Sequence, residues 1–541
     1  MKVIKSLEKK LSGTMVTAKK TQDLTKNYYF QKQNNQEYNL VLIGGGCSSF
    51  AFLLNAYRNN KLDELVGKKG ICILEKSTKF GGGTLEDNLI PSNTHSMGVL
   101  RFLMGEHLVS PLPTQFEAYL KKDIPQLEKR PSFDLNKLDD GIMDCFKELI
   151  ETEAYQHLRE KREQTSSLQL FGYFLRLSAN QFLRYLCEKN YKIHFRNLSE
   201  CVKIVENKTG AKYEIQFKDL QSDQIKTISS QNIILSNGGH QQLNPMYRQV
   251  PQEKRILCED FLKQAGFLRA LELIEKNPDQ PISVIGGSHS AFSVAYMLIY
   301  GPDYYDIDEL SRNTQYAQKR NQQCVFCGQV GANCVCYGDV SVPRIKEKIK
   351  NYQCKLNKGQ IKIFHRHDFR ISYVNEETAI KEGYKDYDKN CIHKFEGCVN
   401  PYTGLRGLTK KLLEDVNNKI EERIEFIQFK DYSDIRETLE NSSVVVECLG
   451  YYTNTIDVQK NNKEKFEYTY DIDKFVKMDQ LHQVEGLQQV YGIGLGYGLQ
   501  TDNELIGGEI LKDKKVRADS LQVYLSRLGQ KILSSLTPSP K

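Results

Sequence analysis

Short runs of apolar residues that end in glycine-rich turns alternate with helix-compatible stretches along most of the chain. Residues 39–43 form an apolar run that enters three consecutive glycines, and a helical pattern follows over residues 50–56. Residues 282–287 and 291–299 repeat this arrangement about 240 residues later. A strand, a glycine turn and a helix in this order are the unit of a nucleotide-binding α/β fold. The pattern therefore predicts two related α/β halves, each built on a parallel sheet.

Two stretches interrupt this alternation. Residues 115–190 carry amphipathic helical patterns with few β-branched runs, which predicts a helical insertion. Residues 301–358 are polar and rich in Tyr, Asn and Cys, and they form a second insertion before the strand pattern resumes at Ile361. Residues 1–36 are rich in Lys, Gln and Asn and have no apolar core, which predicts a flexible tail.

Length and composition exclude several classes of protein. A chain of 541 residues is too long for one hydrophobic core and indicates two or three domains. The net charge of +7 is spread along the chain, without a nucleic-acid-binding motif, so no nucleic-acid partner is expected. No apolar run has the length of a membrane span. Fourteen cysteines without a signal peptide predict reduced thiols and a cytoplasmic protein, and the N-terminal tail leaves organelle targeting open.

The first glycine turn has the spacing of a dinucleotide-binding fingerprint. Its predicted binding residues are Gly44, Gly45, Gly46, Cys47, Ser48 and Ser49. Gly44 would form the tight turn, Gly46 would let the backbone approach a diphosphate, and Ser49 replaces the final small residue. Glu75 ends the next apolar run, 31 residues after Gly44, where a carboxylate can accept hydrogen bonds from a ribose. A longer helix and loop over residues 58–69 would account for this spacing. A glycine turn without a ligand is the alternative interpretation.

The second glycine turn is a variant of the same fingerprint. Its predicted binding residues are Gly286, Gly287, Ser288, His289, Ser290 and Ala291. Ser288 replaces the middle glycine of the pattern. Arg366 follows the next predicted strand, where a cation would meet a 2′-phosphate, and this favours NADPH over NADH. The alternative for Arg366 is a solvated charge at the end of a strand.

The order of these segments resembles that of the two-dinucleotide-binding-domain flavoproteins, and most nearly the class B and N-hydroxylating flavin monooxygenases. The likeness includes residues 284–292, 404–407 and 494–498 and extends over about residues 38–535, without the two insertions. The resemblance implies an α/β fold of two Rossmann-like, three-layer domains, with the NAD(P) domain inserted in the FAD domain. The implied bounds are 37–255 for the first part of the FAD domain, 256–455 for the NAD(P) domain and 456–541 for the rest of the FAD domain.

The same resemblance implies further binding residues outside the two fingerprints. Residues 236–239 and 448–451 are similar to the turns at which such flavoproteins cross between their domains. Residues 494–496 lie where these proteins place a helix N-terminus against the flavin. These segments add Asn237, Gly238, Gly450, Gly494, Leu495 and Gly496 to the predicted cofactor-binding residues. Glu75, from the first fingerprint, and the adjoining Lys76 complete the set.

The function implied by the resemblance is transfer of a hydride from NAD(P)H to FAD, with monooxygenation of a small molecule as one form of the reaction. Two departures from the family pattern, together with the long insertion, support an alternative, a degenerate flavoprotein fold that acts as a structural or protein-binding subunit. Leu495 stands where the family has an Asp that contacts the ribityl chain, and Ser288 replaces a glycine. No pair of cysteines occurs in residues 76–110, which argues against a glutathione or lipoamide reductase.

Four cysteines are clustered in the second insertion. They are Cys324, Cys327, Cys334 and Cys336, and glycines lie among them. Four thiolates this close together, on turns that glycine permits, match the ligand set of a structural Zn²⁺. Two other interpretations stay open: an NADPH-dependent dithiol reductase that uses Cys324 and Cys327, and free thiols.

Overall fold

The computed structural model consists of two α/β units and a helical segment, described over most of the chain. The described residues are 36–96, 99–100, 145–146, 149, 152–161, 164–207, 212–305, 345–385, 387–392, 397–400, 403–460, 464–471, 474–498, 517–518 and 528–536. The predicted tail 1–36 therefore lies almost entirely outside the described residues. So do most of the insertion 301–358 and the first part of the predicted helical insertion.

The strands are numbered in chain order. They are β1 Gln36–Ile43, β2 Ile71–Leu74, β3 Pro91–His95, β4 Thr165–Ser167, β5 Ile193–Arg196, β6 Ser199–Glu206, β7 Tyr213–Asp219, β8 Gln224–Leu235, β9 Gly239–His240, β10 Arg255–Leu257, β11 Ile282–Ile285, β12 Ile361–His365, β13 Ile424–Gln428, β14 Val444–Glu447, β15 Tyr452–Thr453, β16 Asp457–Lys460, β17 Glu464–Lys465, β18 Val490–Gly492, β19 Gly494–Gly498 and β20 Arg517–Ala518.

The helices follow the same convention. They are α1 Cys47–Arg58, α2 Leu62–Val66, α3 Glu153–Glu160, α4 Leu168–Glu188, α5 Cys258–Phe261, α6 Gln264–Lys276, α7 His289–Tyr300, α8 Glu347–Lys350, α9 Glu376–Lys381, α10 Gly407–Asn417, α11 Arg436–Glu440 and α12 Leu528–Leu536. Short 3₁₀ helices occur at Leu85–Asp87, Pro245–Tyr247, Gln252–Lys254, Lys389–Cys391 and Tyr432–Asp434.

The first sheet has the order β17-β16-β6-β7-β8-β1-β2-β5, with β18 paired to β8. Strand β1 lies parallel to both β2 and β8 at its centre. Because side chains alternate along a strand, Leu40 and Leu42 face one core and Val41 and Ile43 face another. The first core contains α1, α4 and α12, and the second lies under the antiparallel strands β6 and β7. The sheet is therefore the middle of three layers.

The second sheet is parallel throughout and has the order β10-β14-β11-β12-β13. Helices α6, α7 and α10 pack on one face, and a smaller apolar cluster around Tyr247 and Leu439 covers the other. All five strands fall between β9 and β15 along the chain, so the second α/β unit is inserted in the first. This confirms the predicted fold class.

The described part of the predicted helical insertion contains a short strand as well as helices. Helix α3 and the 21-residue α4 flank β4, which pairs with β3. Helix α4 is buried over most of its length, including its apolar residues Phe174 and Phe182. It packs against α1 and the first sheet, so this segment is part of the first core.

Candidate dinucleotide-binding sites

The first glycine turn joins β1 to α1 at the carboxyl end of the first sheet. Gly44 has a φ of +99°, and its amide donates to the Leu74 carbonyl at 2.8 Å. A Cβ at Gly44 would lie 2.4 Å from the Ser236 carbonyl oxygen, so only glycine fits there. Gly46 is the N-cap of α1 and has an extended backbone that any residue can adopt. A helix N-terminus directly after such a turn is suited to bind a diphosphate.

Ser49 occupies the last position of the fingerprint, and its hydroxyl is accommodated there by hydrogen bonds. It is fully buried, and its hydroxyl donates to the Gly44 carbonyl at 2.6 Å. Ser236 Oγ lies 2.5 Å from Ser49 Oγ and 2.7 Å from the same carbonyl. The two hydroxyls thus hydrogen-bond to the Gly44 carbonyl just after β1. They connect the glycine turn to the segment that follows β8.

Glu75 lies directly behind the first turn. Its carboxylate accepts from the Gly45 amide at 2.6 Å and from the Ser77 amide at 2.8 Å. Lys76 beside it is exposed. The long spacing between Gly44 and Glu75 is filled by α1 and the separate short helix α2, close to the longer helix and loop that the sequence predicts.

A second glycine loop, which the sequence reasoning missed, lies opposite the first turn. The Gly81 amide donates to the Gly45 carbonyl at 2.8 Å. A Cβ at Gly46 would have Gly83 Cα, at 3.9 Å, as its nearest neighbour. The signal in the sequence was the run of three glycines after Phe80. Two backbones without side chains face each other here, and this fits the diphosphate of FAD better than a closed turn would.

The second glycine turn joins β11 to α7 with the same geometry. Gly286 has a φ of +145°, and its amide donates to the Phe364 carbonyl at 2.9 Å. A Cβ at Gly286 would lie 2.7 Å from the Cys448 carbonyl oxygen. Gly287 packs against His365, and Ser288 is the exposed N-cap of α7. The turn therefore offers a second helix N-terminus at the carboxyl end of a parallel sheet.

His289 points away from this turn, towards the loop before α10. Its Nε2 lies 2.8 Å from the Gly404 carbonyl oxygen and its Nδ1 lies 3.1 Å from Thr409 Oγ1. Burial, together with the nearby charge of Arg406, lowers the pKa of His289 to about 4. Ala291 is fully buried, and the Ser290 carbonyl accepts from the Cys258 thiol. These contacts position α7. The groups that can bind a ligand here are therefore the backbone amides in the first turn of α7.

Arg366 lies just beyond the end of β12, beside the second turn. It is exposed, and its guanidinium lies 5.4 Å from the centre of the Phe429 ring. His365 is buried, and its Nδ1 lies 3.1 Å from the His367 carbonyl oxygen. The Arg366 guanidinium is therefore accessible at the surface. Its predicted contact with a 2′-phosphate stays a prediction.

The segment at Gly494, Leu495 and Gly496 is a strand, and the expectation of a helix N-terminus there is wrong. Strand β19 pairs with β20. A Cβ at Gly494 would lie 3.2 Å from Ser48 Oγ, so this strand does pass beside the start of α1. Leu495 is 36% exposed. The physical reason is the backbone pairing with Arg517 and Ala518, which the glycine content of residues 494–498 does not reveal.

The two predicted crossover turns lie together. Strand β9, which follows Asn237 and Gly238, pairs antiparallel with β15, which follows Gly450. Gly238 and Gly450 both have positive φ, +74° and +90°. The side chain of Asn237 bonds to the opposite crossover, as detailed below, so its predicted contact with a cofactor stays a prediction.

The four clustered cysteines lie outside the described residues, and the zinc site stays a prediction. Among the residues that the structure does describe, no group of three or more His, Cys, Asp or Glu side chains is arranged to bind a metal ion. Within the same residues, no helix is both long and apolar enough to cross a membrane.

Comparison with protein families gives one match. The sequence model of the L-lysine 6-monooxygenase/L-ornithine 5-monooxygenase family matches residues 160–326. This stretch begins at the end of α3 and includes α4, the first crossover and the second glycine turn. A comparison with curated proteins finds no match.

Among solved structures, three monooxygenases are similar over most of their length. The FAD-bound cadaverine monooxygenase of desferrioxamine biosynthesis from Erwinia amylovora is 11% identical, with 93% of this chain and 95% of that chain covered and a TM-score of 0.47. Ornithine hydroxylase from Pseudomonas aeruginosa is 12% identical, with 93% and 99% covered and a TM-score of 0.45. Ornithine N-hydroxylase from Kutzneria sp. 744, with reduced FAD, NADP⁺ and L-ornithine, is 12% identical, with 92% and 99% covered and a TM-score of 0.45.

Two nested α/β units with two glycine turns define a two-dinucleotide-binding-domain flavoprotein. Because the structural likeness is low, the class rests on these turns and on the family match. The chain is an FAD- and NAD(P)H-dependent oxidoreductase similar to the lysine and ornithine N-hydroxylating monooxygenases. This confirms the predicted class, the FAD and NAD(P)H cofactors and a small-molecule substrate.

Proposed function

We propose that the protein uses NAD(P)H, FAD and O₂ to hydroxylate the nitrogen of a primary amine on a small molecule of the basic amino acid type. The observation that carries this proposal is the family match across residues 160–326, which includes the second glycine turn. When bound, NAD(P)H and FAD supply the hydride transfer and the reaction with O₂. The chain contributes the two nucleotide sites and must exclude water from the place where they meet.

A cleft with charges of both signs lies between α3, β4 and the start of α10.

The volume of this cleft is about 600 Å³, which is enough for a substrate of amino acid size. Asp303 lines it together with Lys161 and Lys411, and the backbone of Gly407 at the start of α10 borders it. We propose that the substrate ammonium lies near Asp303 and that a substrate carboxylate lies near the two lysines. A different cleft, beside Gly67, lies at the amino ends of the strands, away from both glycine turns.

Asp303 has the chemistry that an amine site needs. Burial raises the pKa of Asp303, while the charge of Lys161 opposes this shift. Its backbone amide donates to the Leu89 carbonyl at 2.9 Å, which fixes the residue at the edge of the cleft. A nitrogen nucleophile must give up a proton before it reacts, and a carboxylate with a raised pKa accepts such a proton more readily than an ordinary one.

The test is turnover of FAD-loaded protein with NADPH in the presence of L-lysine, L-ornithine or cadaverine. NADPH oxidation, hydrogen peroxide release and the mass of the product are measured together. The proposal predicts a product with one added oxygen atom for at least one amine, and Asp303→Asn should raise the KM for that amine. Asp223→Asn is the matched control, because Asp223 is a surface residue paired with Lys218. FAD-loaded protein that oxidises NADPH and yields only hydrogen peroxide with every amine would contradict the proposed chemistry.

The alternative from the sequence, a degenerate fold that acts as a structural or protein-binding subunit, rests on Leu495, which provides no carboxylate beside the start of α1. This candidate predicts that purified protein is colourless and does not bind added FAD. The proposed enzyme predicts a yellow protein.

A further inference from the structure

The two chain segments that connect the α/β units are paired with each other. Strand β9 lies in the first connection and β15 in the second, with Tyr452 opposite His240 and Thr453 opposite Gly239. A rotation of one unit against the other needs changes in φ and ψ in these connections, since they are the hinge positions of such a fold. Backbone pairing between them restricts those changes.

Asn237 and Asn454 extend this pairing by two reciprocal hydrogen bonds. Asn237 Nδ2 donates to the Asn454 carbonyl at 2.8 Å, and Asn454 Nδ2 donates to the Asn237 carbonyl at 3.0 Å. Each side chain thus bonds to the backbone of the opposite connection. A change in the angle between the connections would break both bonds together.

A third segment, β19, packs across the pair. The Tyr497 hydroxyl donates to Asn237 Oδ1 at 3.1 Å, and the ring of Tyr497 is buried in the core of the first unit. A Cβ at Gly496 would lie 2.3 Å from the Gly238 carbonyl oxygen, so the two backbones are in direct contact. The Thr453 hydroxyl donates to the Gly496 carbonyl. Since β19 also passes Ser48 at the start of α1, the connections are joined to the first glycine turn.

We propose that Asn237 and Asn454 are positioning residues that fix the orientation of the two nucleotide-binding units, so that NAD(P)H reaches FAD without a rotation of one unit against the other. The expected effect on hydride transfer from NAD(P)H to FAD rests on the proposed function. Its structural part, a single orientation of the two units, stands on the contacts alone. Removal of the reciprocal bonds should let the second unit move and should slow flavin reduction.

The orientation can be measured without any turnover. Two spin labels are introduced as non-natural amino acids at Asp223 on the first unit and Lys358 on the second, both at exposed positions. The distance distribution between them is then recorded on full-length protein by pulsed dipolar spectroscopy. The wild-type protein should give one narrow distribution, and Asn237→Ala/Asn454→Ala should widen it roughly twofold.

Asn232→Ala is the matched control for this experiment. Asn232 Nδ2 donates to the Asn39 carbonyl at 2.9 Å, so the variant loses the same kind of bond within one unit. It should leave the distribution unchanged. Asn454→Ala alone provides a milder variant if the double variant fails to fold. A wild-type distribution that is broad or bimodal would overturn the proposal, and so would a distribution that stays equally narrow when Asn237 and Asn454 are replaced.

A second measurement follows flavin reduction by NADPH in rapid mixing. Asn454→Ala should lower the limiting rate about three- to tenfold while FAD content stays unchanged, because misplacement of the donor affects the transfer step. Asn232→Ala should have the wild-type rate. If wild-type flavin is not reduced by NADPH, the proposed function fails. The distance measurement still decides whether Asn237 and Asn454 fix the orientation of the two units.

Discussion

Arg176 Nε lies 2.7 Å from Glu86 Oε1, and the two side chains are only 2% and 0% exposed. Arg176 belongs to α4, and Glu86 follows the glycine loop that faces the first turn. A Cβ at Gly82 would lie 2.5 Å from Glu86 Oε1, so this loop is packed directly on the ion pair. The pair therefore connects the long buried helix to one wall of the proposed FAD site.

Removal of one partner of this pair should destabilise the protein strongly. Arg176→Ala leaves the buried Glu86 carboxylate with Lys79 as its remaining cation, whose Nζ lies 3.7 Å from Glu86 Oε2. The loss of the closer, buried partner should lower the free energy of unfolding by about 3 kcal/mol. Arg184→Ala is the control on the same helix, since Arg184 pairs with Glu188 near the surface, and it should cost less than about 1 kcal/mol. Urea denaturation of the three proteins measures both effects. Equal losses in the two variants would contradict a special role for the buried pair.

His289 should make stability depend on pH. Burial lowers its pKa to about 4 in the folded protein, whereas an unfolded His titrates near 6.5. This stabilising contribution is complete above the unfolded pKa and is lost as the pH falls towards the folded pKa, because the unfolded chain binds the proton first. Between pH 7 and pH 5, wild type should lose about 2 kcal/mol more than His289→Gln. Parallel losses in the two proteins, measured by urea denaturation at each pH, would show that His289 titrates normally.

Arg366 should discriminate between the two nicotinamide cofactors. If its exposed guanidinium contacts a 2′-phosphate, Arg366→Ala should raise the KM for NADPH about tenfold and leave the KM for NADH unchanged. Arg436→Ala is the control in the same unit, because Arg436 pairs with Glu440 on α11. Initial rates of NADPH and NADH oxidation provide both constants. An equal change for the two cofactors would rule out the phosphate contact.

The cysteine cluster should bind one zinc ion per chain. Metal analysis of purified protein tests this, with Cys324→Ser/Cys327→Ser expected to lose the metal and to unfold at lower temperature. Retention of NADPH oxidation in that variant would separate structural zinc from a redox dithiol. Full-length protein without metal, but with normal stability, would favour free thiols.

The two glycine turns could be predicted because their determinants are local. An apolar run, glycines at fixed positions and a helical pattern lie within about 20 residues at both Gly44 and Gly286. The inserted arrangement of the domains was implied by the resemblance to the two-dinucleotide-binding-domain flavoproteins, which rests on the order of these units along the chain. Both features can be recognised without knowing which distant residues are in contact.

The missed and mistaken elements depend on long-range contacts. Glu86 and Arg176 are 90 residues apart, and nothing in the sequence indicates that they form an ion pair. Gly81 and Gly83 gain their significance only when the loop lies opposite Gly46. The segment from Gly494 became a strand because it pairs with β20. A pattern of glycines is compatible with a helix N-terminus or a strand, and tertiary pairing decides between them.

FAD binding to wild type and Gly46→Ala tests the central claim most directly. A Cβ at Gly46 has no neighbour nearer than 3.9 Å, and its backbone is unstrained, so Gly46→Ala should fold. Its free energy of unfolding should fall by no more than about 1 kcal/mol, because Ala is a poorer N-cap than Gly. The account predicts that wild type binds one FAD per chain and that Gly46→Ala binds it at least about tenfold more weakly, since the methyl group enters the diphosphate site. Wild-type protein that does not bind FAD, or equal affinity in the two proteins, would contradict the account.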